Sequence, residues 1–173
     1  DERSDSLRFV NVHYFAAGAS LFGSEAGGAY EYDDMTYAGR FEHVGPYSNC
    51  TDCHSTHELK VKVDECMGCH PEASDGLDAI RMSSVDYDGD GDTDEGIKGE
   101  METLHAALYA SMQRYSASEL DVTILYDAHS YPYFFNDTNG NGELDEDEVD
   151  RANGFSAWTP TLLRAAYNYQ FAM

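Results

Sequence analysis

The chain has 173 residues, 42% of them hydrophobic, which suits one folded domain and is too apolar for a disordered segment. Its formal net charge is −23, with 33 acidic residues against 10 basic ones, so nucleic acid and anionic membrane surfaces are excluded as partners. No stretch approaches the roughly 20 consecutive apolar residues that a membrane-spanning helix needs.

In chain order, residues 12–23 read as a short helix of small residues ended by Gly23. The segment "AYEYDDMTYAG" alternates aromatic and polar residues about Asp33 and Asp34, the pattern of a small hairpin. Residues 43–73 read mostly as loop, with "ELKVKV" as a brief strand. Over residues 97–115, Ile97, Met101, Leu104, Leu108, Met112 and Tyr115 recur at spacings of three and four, which predicts an amphipathic helix. "DVTILYD" reads as a strand. Thr159 and Pro160 read as the N-cap and first-turn proline of a last helix, with Leu162, Leu163, Ala166, Tyr167 and Gln170 on its inner face. The chain starts at Asp1 rather than Met, and the last helical pattern stops without a Gly, Pro or polar cap. The expectation is a natural product that is longer at one or both ends.

All four cysteines fall in "NCTDCHSTHELKVKVDECMGCHPEA", as Cys50-x-x-Cys53-His54 and Cys66-x-x-Cys69-His70. A c-type haem needs this pentapeptide for a geometric reason. Two thiols on one turn add to the two porphyrin vinyl groups, and the next residue, His, ligates the iron from the same side. Zinc also accepts two C-x-x-C knuckles, but it does not require a histidine after each. A redox dithiol uses one C-x-x-C in a βαβ setting, which is not visible here. Two disulfides across two-residue loops would be strained and would order little chain. The expectation is therefore two haems, held by Cys50, Cys53 and His54 and by Cys66, Cys69 and His70.

Five other histidines remain as sixth ligands: His13, His43, His57, His105 and His129. His57 is too close to His54 to reach the far side of that haem, but it could serve the neighbouring one. His13 lies among small residues that would let a porphyrin approach, and His43 precedes the first pentapeptide. His105 reads as a flank of the amphipathic helix, and His129 carries an equally weak signal. His13, His57 and His43 are three strong candidates for two irons, so one of them could reach a haem on another copy of the chain. Irons closed by two imidazoles have no open position for substrate, which suits electron transfer rather than catalysis.

Two acidic loops follow. "DTNGNGELDEDE" matches a twelve-residue calcium loop, with Asp137, Asn139, Asn141, Glu143 and Glu148 at ligand positions and Gly142 at the sharp turn. "DYDGDGDTDEGI" offers Asp86, Asp88, Asp90 and Asp92 in the same phase. It has Ile97 at the closing position, so Glu95 would have to close it early. Calcium would offset the mutual repulsion of these carboxylates.

These blocks, with "NVHYFAAGASLFG", "YPYFFNDTNGNGELDEDE" and "WTPTLLRAAYNYQ", resemble extracellular multihaem c-type cytochromes of microbes that respire insoluble acceptors. The resemblance implies bis-histidine haems, structural calcium and electron transfer outside the cytoplasm, and it carries His13 and His57 over as distal ligands. Some proteins of that class polymerise into conductive filaments, whereas many carry more haem motifs than the two here. The fold class expected is mainly irregular with several α-helices and a minor β-hairpin, a compact multihaem cytochrome organised around two haems. It would be one domain, 1–173, with a haem-binding part (1–80) and a calcium-stapled helical part (81–173). The expected role is electron transfer by repeating subunits of a homopolymer at the cell surface or beyond it, with other redox proteins or extracellular acceptors as partners. The 13 tyrosines and 8 phenylalanines, "YPYFF" among them, could form the adhesive surface or pack round the haems. The rival expectations are a haem peroxidase or small-oxyanion reductase with one open iron, a monomeric periplasmic shuttle, and a calcium-dependent binding module.

Overall fold

The computed structural model describes residues 1–11, 16–45 and 47–172. The start of the first expected helix and His13 lie outside the described residues. Most of the described chain is irregular. Its regular elements are α1 (Ala16–Phe22), α2 (Cys50–Cys53), α3 (Val63–Cys66), α4 (Ile97–Leu120), β1 (Ile124–Tyr126), β2 (Phe134–Asn136) and α5 (Pro160–Phe171), with short 3₁₀ turns between them.

The apolar core belongs to the second half. Strands β1 and β2 pair antiparallel, with Leu125 opposite Phe135, and Ile124, Leu125, Phe134 and Phe135 are fully buried. Met112 of α4 and Leu162, Ala166 and Tyr169 of α5 pack with this hairpin and with Phe155 and Trp158. The N-terminal arm returns to the same core. Ser4 N–H donates to the Trp158 carbonyl at 3.0 Å, and the Phe9 ring meets Phe134 edge-on at 4.7 Å. Thr159 caps α5 as its sequence predicts, its hydroxyl accepting from Leu162 N–H at 3.2 Å ahead of Pro160.

Several expectations are refined. The helix read over 97–115 runs on to Leu120 and ends where Asp121 adopts a left-handed conformation. Its apolar stripe is buried only toward its C-terminal end: Met112 is covered, whereas Ile97, Met101 and Leu104 are exposed. On α5, Tyr169 joins Leu162 and Ala166 inside, while Tyr167 and Gln170 flank the face half-buried. Segment 29–39 turns at Asp33 and Asp34 but forms no strand ladder. The Tyr30 backbone instead bonds the Asn168 side chain of α5, at 2.7 Å through its N–H and 2.9 Å through its carbonyl. "ELKVKV" contributes a single bridge, Val61 to His54, rather than a strand. Phe134 and Phe135 of "YPYFF" are core residues, and Tyr131 stays exposed.

Residues 16–80 are built differently. Among the described residues there, Ala19 and Ala73 are the buried hydrophobics, while Met35, Phe41, Val44, Leu59 and Met67 stand exposed. A segment so poor in side-chain core needs another apolar body to order it. Its end is fastened to α4. Ile97 N–H, unpaired within the helix, donates to the Ile80 carbonyl at 3.2 Å. Gly96 lies directly against the Asp78 carbonyl, and a Cβ there would overlap that oxygen and sit 2.7 Å from the Ala79 Cα. Gly96→Ala is expected to cost about 1–3 kcal/mol by forcing the backbones apart. Thermal unfolding of the variant checks this, and an unchanged midpoint would contradict it.

Candidate metal centre

The two cysteine pentapeptides fold alike. In each, the histidine N–H donates back to the first cysteine's carbonyl, His54 to Cys50 and His70 to Cys66, both at 2.8 Å; α2 carries both cysteines of the first motif, whereas α3 ends at Cys66 and Cys69 follows it in a turn. The Asp52 carboxylate fixes the start of α2 by accepting from the Asn49 and Ser48 N–H groups at 2.8 and 3.0 Å. Those bonds, that from Asn49 foremost, hold its carboxyl below the usual range. Lys62 N–H donates to the Cys53 carbonyl at 2.9 Å, which folds the second pentapeptide back beside the first.

Between them lies a cavity lined by Cys53 of the first motif, by Cys66, Cys69 and His70 of the second, and by His43 and Tyr47. All four cysteines are free thiols. Burial pushes the Cys53 thiol up, with Cys66 and Asp52 adding to that. Among the described residues, the groups of three or more His, Cys, Asp or Glu ligand atoms within 4.8 Å of one another are all carboxylates. The thiols therefore do not converge as a zinc knot requires.

The imidazoles face the cavity in a particular way. The His43 and His70 ring centres are 6.1 Å apart, with their planes at 63°. A metal–imidazole bond is about 2 Å and the nitrogen lies about 1.1 Å from the ring centre, so two rings on opposite sides of one metal are about 6.2 Å apart. In both rings Nδ1 is already committed: His43 Nδ1 pairs with the Val44 carbonyl at 3.0 Å, and His70 Nδ1 with Glu72 Oε1 at 3.3 Å. His54 repeats the pattern, with Nδ1 2.8 Å from the Leu59 carbonyl. Metal-ligating histidines ordinarily use one ring nitrogen for such a partner and keep the other for the metal. The residues present thus fit c-type haem.

The other histidines are placed differently. His57 is exposed in the turn after His54. His105 is engaged in the fold: its Nε2 lies 2.8 Å from the Tyr169 carbonyl, and its ring stacks on that tyrosine at 3.8 Å. His129 is exposed in the connection between β1 and β2.

The acidic loops share one backbone design. In the first, Asp86 accepts from Gly89 and Gly91 N–H at 2.6 and 3.0 Å, and Asp88 accepts from Asp90 N–H at 3.0 Å. In the second, Asp137 accepts from Gly140 and Gly142 N–H at 2.6 and 2.8 Å, and Asn139 from Asn141 N–H at 2.9 Å. Glu148 closes the second loop, held by Thr138 N–H at 2.6 Å and Asp145 N–H at 3.2 Å. The Thr138 amide is the main reason its carboxyl titrates low. In the first loop Glu95 lies with Asp88 and Asp90, and its burial pushes its carboxyl up. Glu100 lies with Asp86 and Asp88 and accepts from Tyr87 and Asp88 N–H at 2.7 and 2.8 Å. It is also paired with Arg81, and both side chains are almost fully buried. Glu100 and Glu72 carry no sequence signal of these roles. Glu100 lies beyond the twelve-residue loop frame, and Glu72 simply follows a His-Pro.

No protein-family model matches the chain, and no solved structure shows significant similarity to it. The C-type polyhaem cytochrome OmcC of Geobacter sulfurreducens (strain ATCC 51573 / DSM 12127 / PCA) is 30% identical over a 180-residue alignment, which covers 88% of this chain and 20% of OmcC. The C-type polyhaem cytochrome OmcB of the same species (strain DL-1 / KN400) is 29% identical over 170 residues, covering 88% of this chain and 21% of OmcB. The chain thus spans about a fifth of the length of these curated relatives. Over most of its own length, this chain is homologous to the polyhaem c-type cytochromes OmcC and OmcB.

Proposed function

We propose that this chain carries electrons through two c-type haems, one on Cys50, Cys53 and His54, the other on Cys66, Cys69 and His70. The observation that carries the reading is the His43–His70 pair, with a ring separation of 6.1 Å matching two imidazoles on one iron. His43 and His70 would then both hold that iron. His13 would hold the iron on His54, or the exposed His57 of a neighbouring copy would do so. Bound haem supplies reversible one-electron chemistry at iron. The chain's own contribution is to anchor the thioethers on two equivalent turns, fix the ring orientations through Nδ1, and exclude substrate from the metals. That last point favours an electron carrier over a peroxidase or small-oxyanion reductase, which needs an open position. Low-spin optical and electron paramagnetic resonance spectra at both irons are expected, and one high-spin iron in the native protein would contradict the assignment.

The two halves play separate parts in this reading: residues 1–80 hold the haems, and residues 81–173 form a scaffold stapled by calcium. The cation sites take Asp137, Asn139, Asn141, Glu143 and Glu148 in one loop and Asp86, Asp88, Asp90, Asp92 and Glu95 in the other. Support comes from the matching backbone of the two loops and from Asp88 Oδ2 and Glu95 Oε1, buried oxygens without a hydrogen-bond partner. Calcium at about a hundredfold over its dissociation constant should stabilise the fold by about 2.7 kcal/mol per site. Calorimetry should count two ions per chain, falling to one in Glu148→Gln. An unfolding midpoint indifferent to calcium would contradict both sites.

The homology to polyhaem cytochromes and the exposed apolar residues of the haem half support an extracellular, self-assembling role. Electrons would then pass between copies and on to redox proteins or extracellular acceptors. Negative-stain images with calcium should show filaments, and dispersed monomers at high concentration would count against the polymer.

A further inference from the structure

The two haem-anchoring histidines differ in what holds them. His54 Nδ1 faces a neutral group, the Leu59 carbonyl, at 2.8 Å. His70 Nδ1 faces a carboxylate, Glu72 Oε1, at 3.3 Å, with the His70 side chain 13% exposed and that of Glu72 32%. The carboxylate is itself held in place. Its own backbone N–H, the His70 ring and the Arg81 backbone N–H all bond it. Arg81 is locked by its buried pairing with Glu100 and by its bonds to the Ser83 and Glu95 carbonyls at 2.8 and 3.2 Å. The Lys62 ammonium lies between the two motifs, 3.0 Å from the Thr51 carbonyl and 4.0 Å from Glu65 Oε1.

We propose that Glu72 is a positioning residue that acts through His70 to make the second haem the lower-potential one of the pair. A carboxylate sharing the Nδ1 proton gives the imidazole anionic character. The ring becomes a stronger donor to iron, and the added negative charge favours the ferric state. A neutral carbonyl on His54 does this less. The two irons therefore differ in potential although both are held by the same pentapeptide. The electron rests on the first haem and leaves the second more readily, which gives a single chain a direction. This inference rests on the haem reading of His54 and His70.

The test is a spectroelectrochemical titration of the haem-loaded protein, its Glu72→Gln variant and its Glu72→Asp variant. Native protein should show two separated midpoints. Glu72→Gln should move the lower one positively by about tenfold in the reduction equilibrium, about 59 mV for one electron, and leave the upper one in place. Glu72→Asp keeps the charge and should retain most of the separation, which a merely structural role would not distinguish. Unmoved midpoints, or both moving together, would overturn the inference. A purified chain without covalent haem would instead defeat the underlying reading, so the two failures are distinguishable.

Discussion

Replacing His43 with alanine should give a protein that binds one carbon monoxide per chain after reduction, where the native protein binds none. His43 Nδ1 is tied to the Val44 carbonyl, and its ring centre lies 6.1 Å from that of His70. If His43 holds iron as proposed, removing the ring takes away that ligand without touching Cys66, Cys69 or His70, so the haem should stay attached. His43 is half-buried at the cavity and contributes nothing to the apolar core, so the fold should survive. The Soret spectrum should then report one high-spin and one low-spin haem. His57→Ala separates the remaining question. If His57 acts between copies, its loss opens the other iron and also disrupts assembly.

Phe134→Ala should cost about 3–5 kcal/mol, a large part of the 5–15 kcal/mol that holds most domains folded. Phe134 is 1% exposed and is where the molecule's scaffold meets: its ring touches Phe9 of the N-terminal arm, Tyr126 of β1 and Trp158 before α5. The urea midpoint followed by far-ultraviolet circular dichroism measures this, with an unchanged slope expected if the native state keeps its compactness. The haem spectra should change far less, because residues 40–76 contribute no residue to this core cluster. A loss below about 1 kcal/mol would mean that the hairpin is not the keystone of the scaffold.

What the sequence made legible follows from which signals are local. A cap such as Thr159 with Pro160, the two cysteine pentapeptides and the twelve-residue acidic loop are short patterns whose chemistry sits within a few residues, and each has the expected local form in the fold. Failures came where a distant partner decided the outcome. Tyr30 looked like a strand residue, but its backbone bonds Asn168, far along the chain. Phe134 and Phe135 looked equally suited to a sticky surface or a core, and only their pairing with β1 buries them. His43 read as one of three comparable candidates. Nothing in its neighbours foretells that the loop before the first pentapeptide folds back to the second. Glu72 and Glu100 gave no pattern at all, because their roles depend on Arg81 lying between them.

Every haem-site assignment above depends on porphyrin being covalently attached at both cysteine pairs. Intact-mass measurement of the protein matured in a host that attaches c-type haem decides this most directly. The polypeptide mass plus two haems is the expected result. A bare polypeptide, or one whose thiols carry zinc instead, would contradict it.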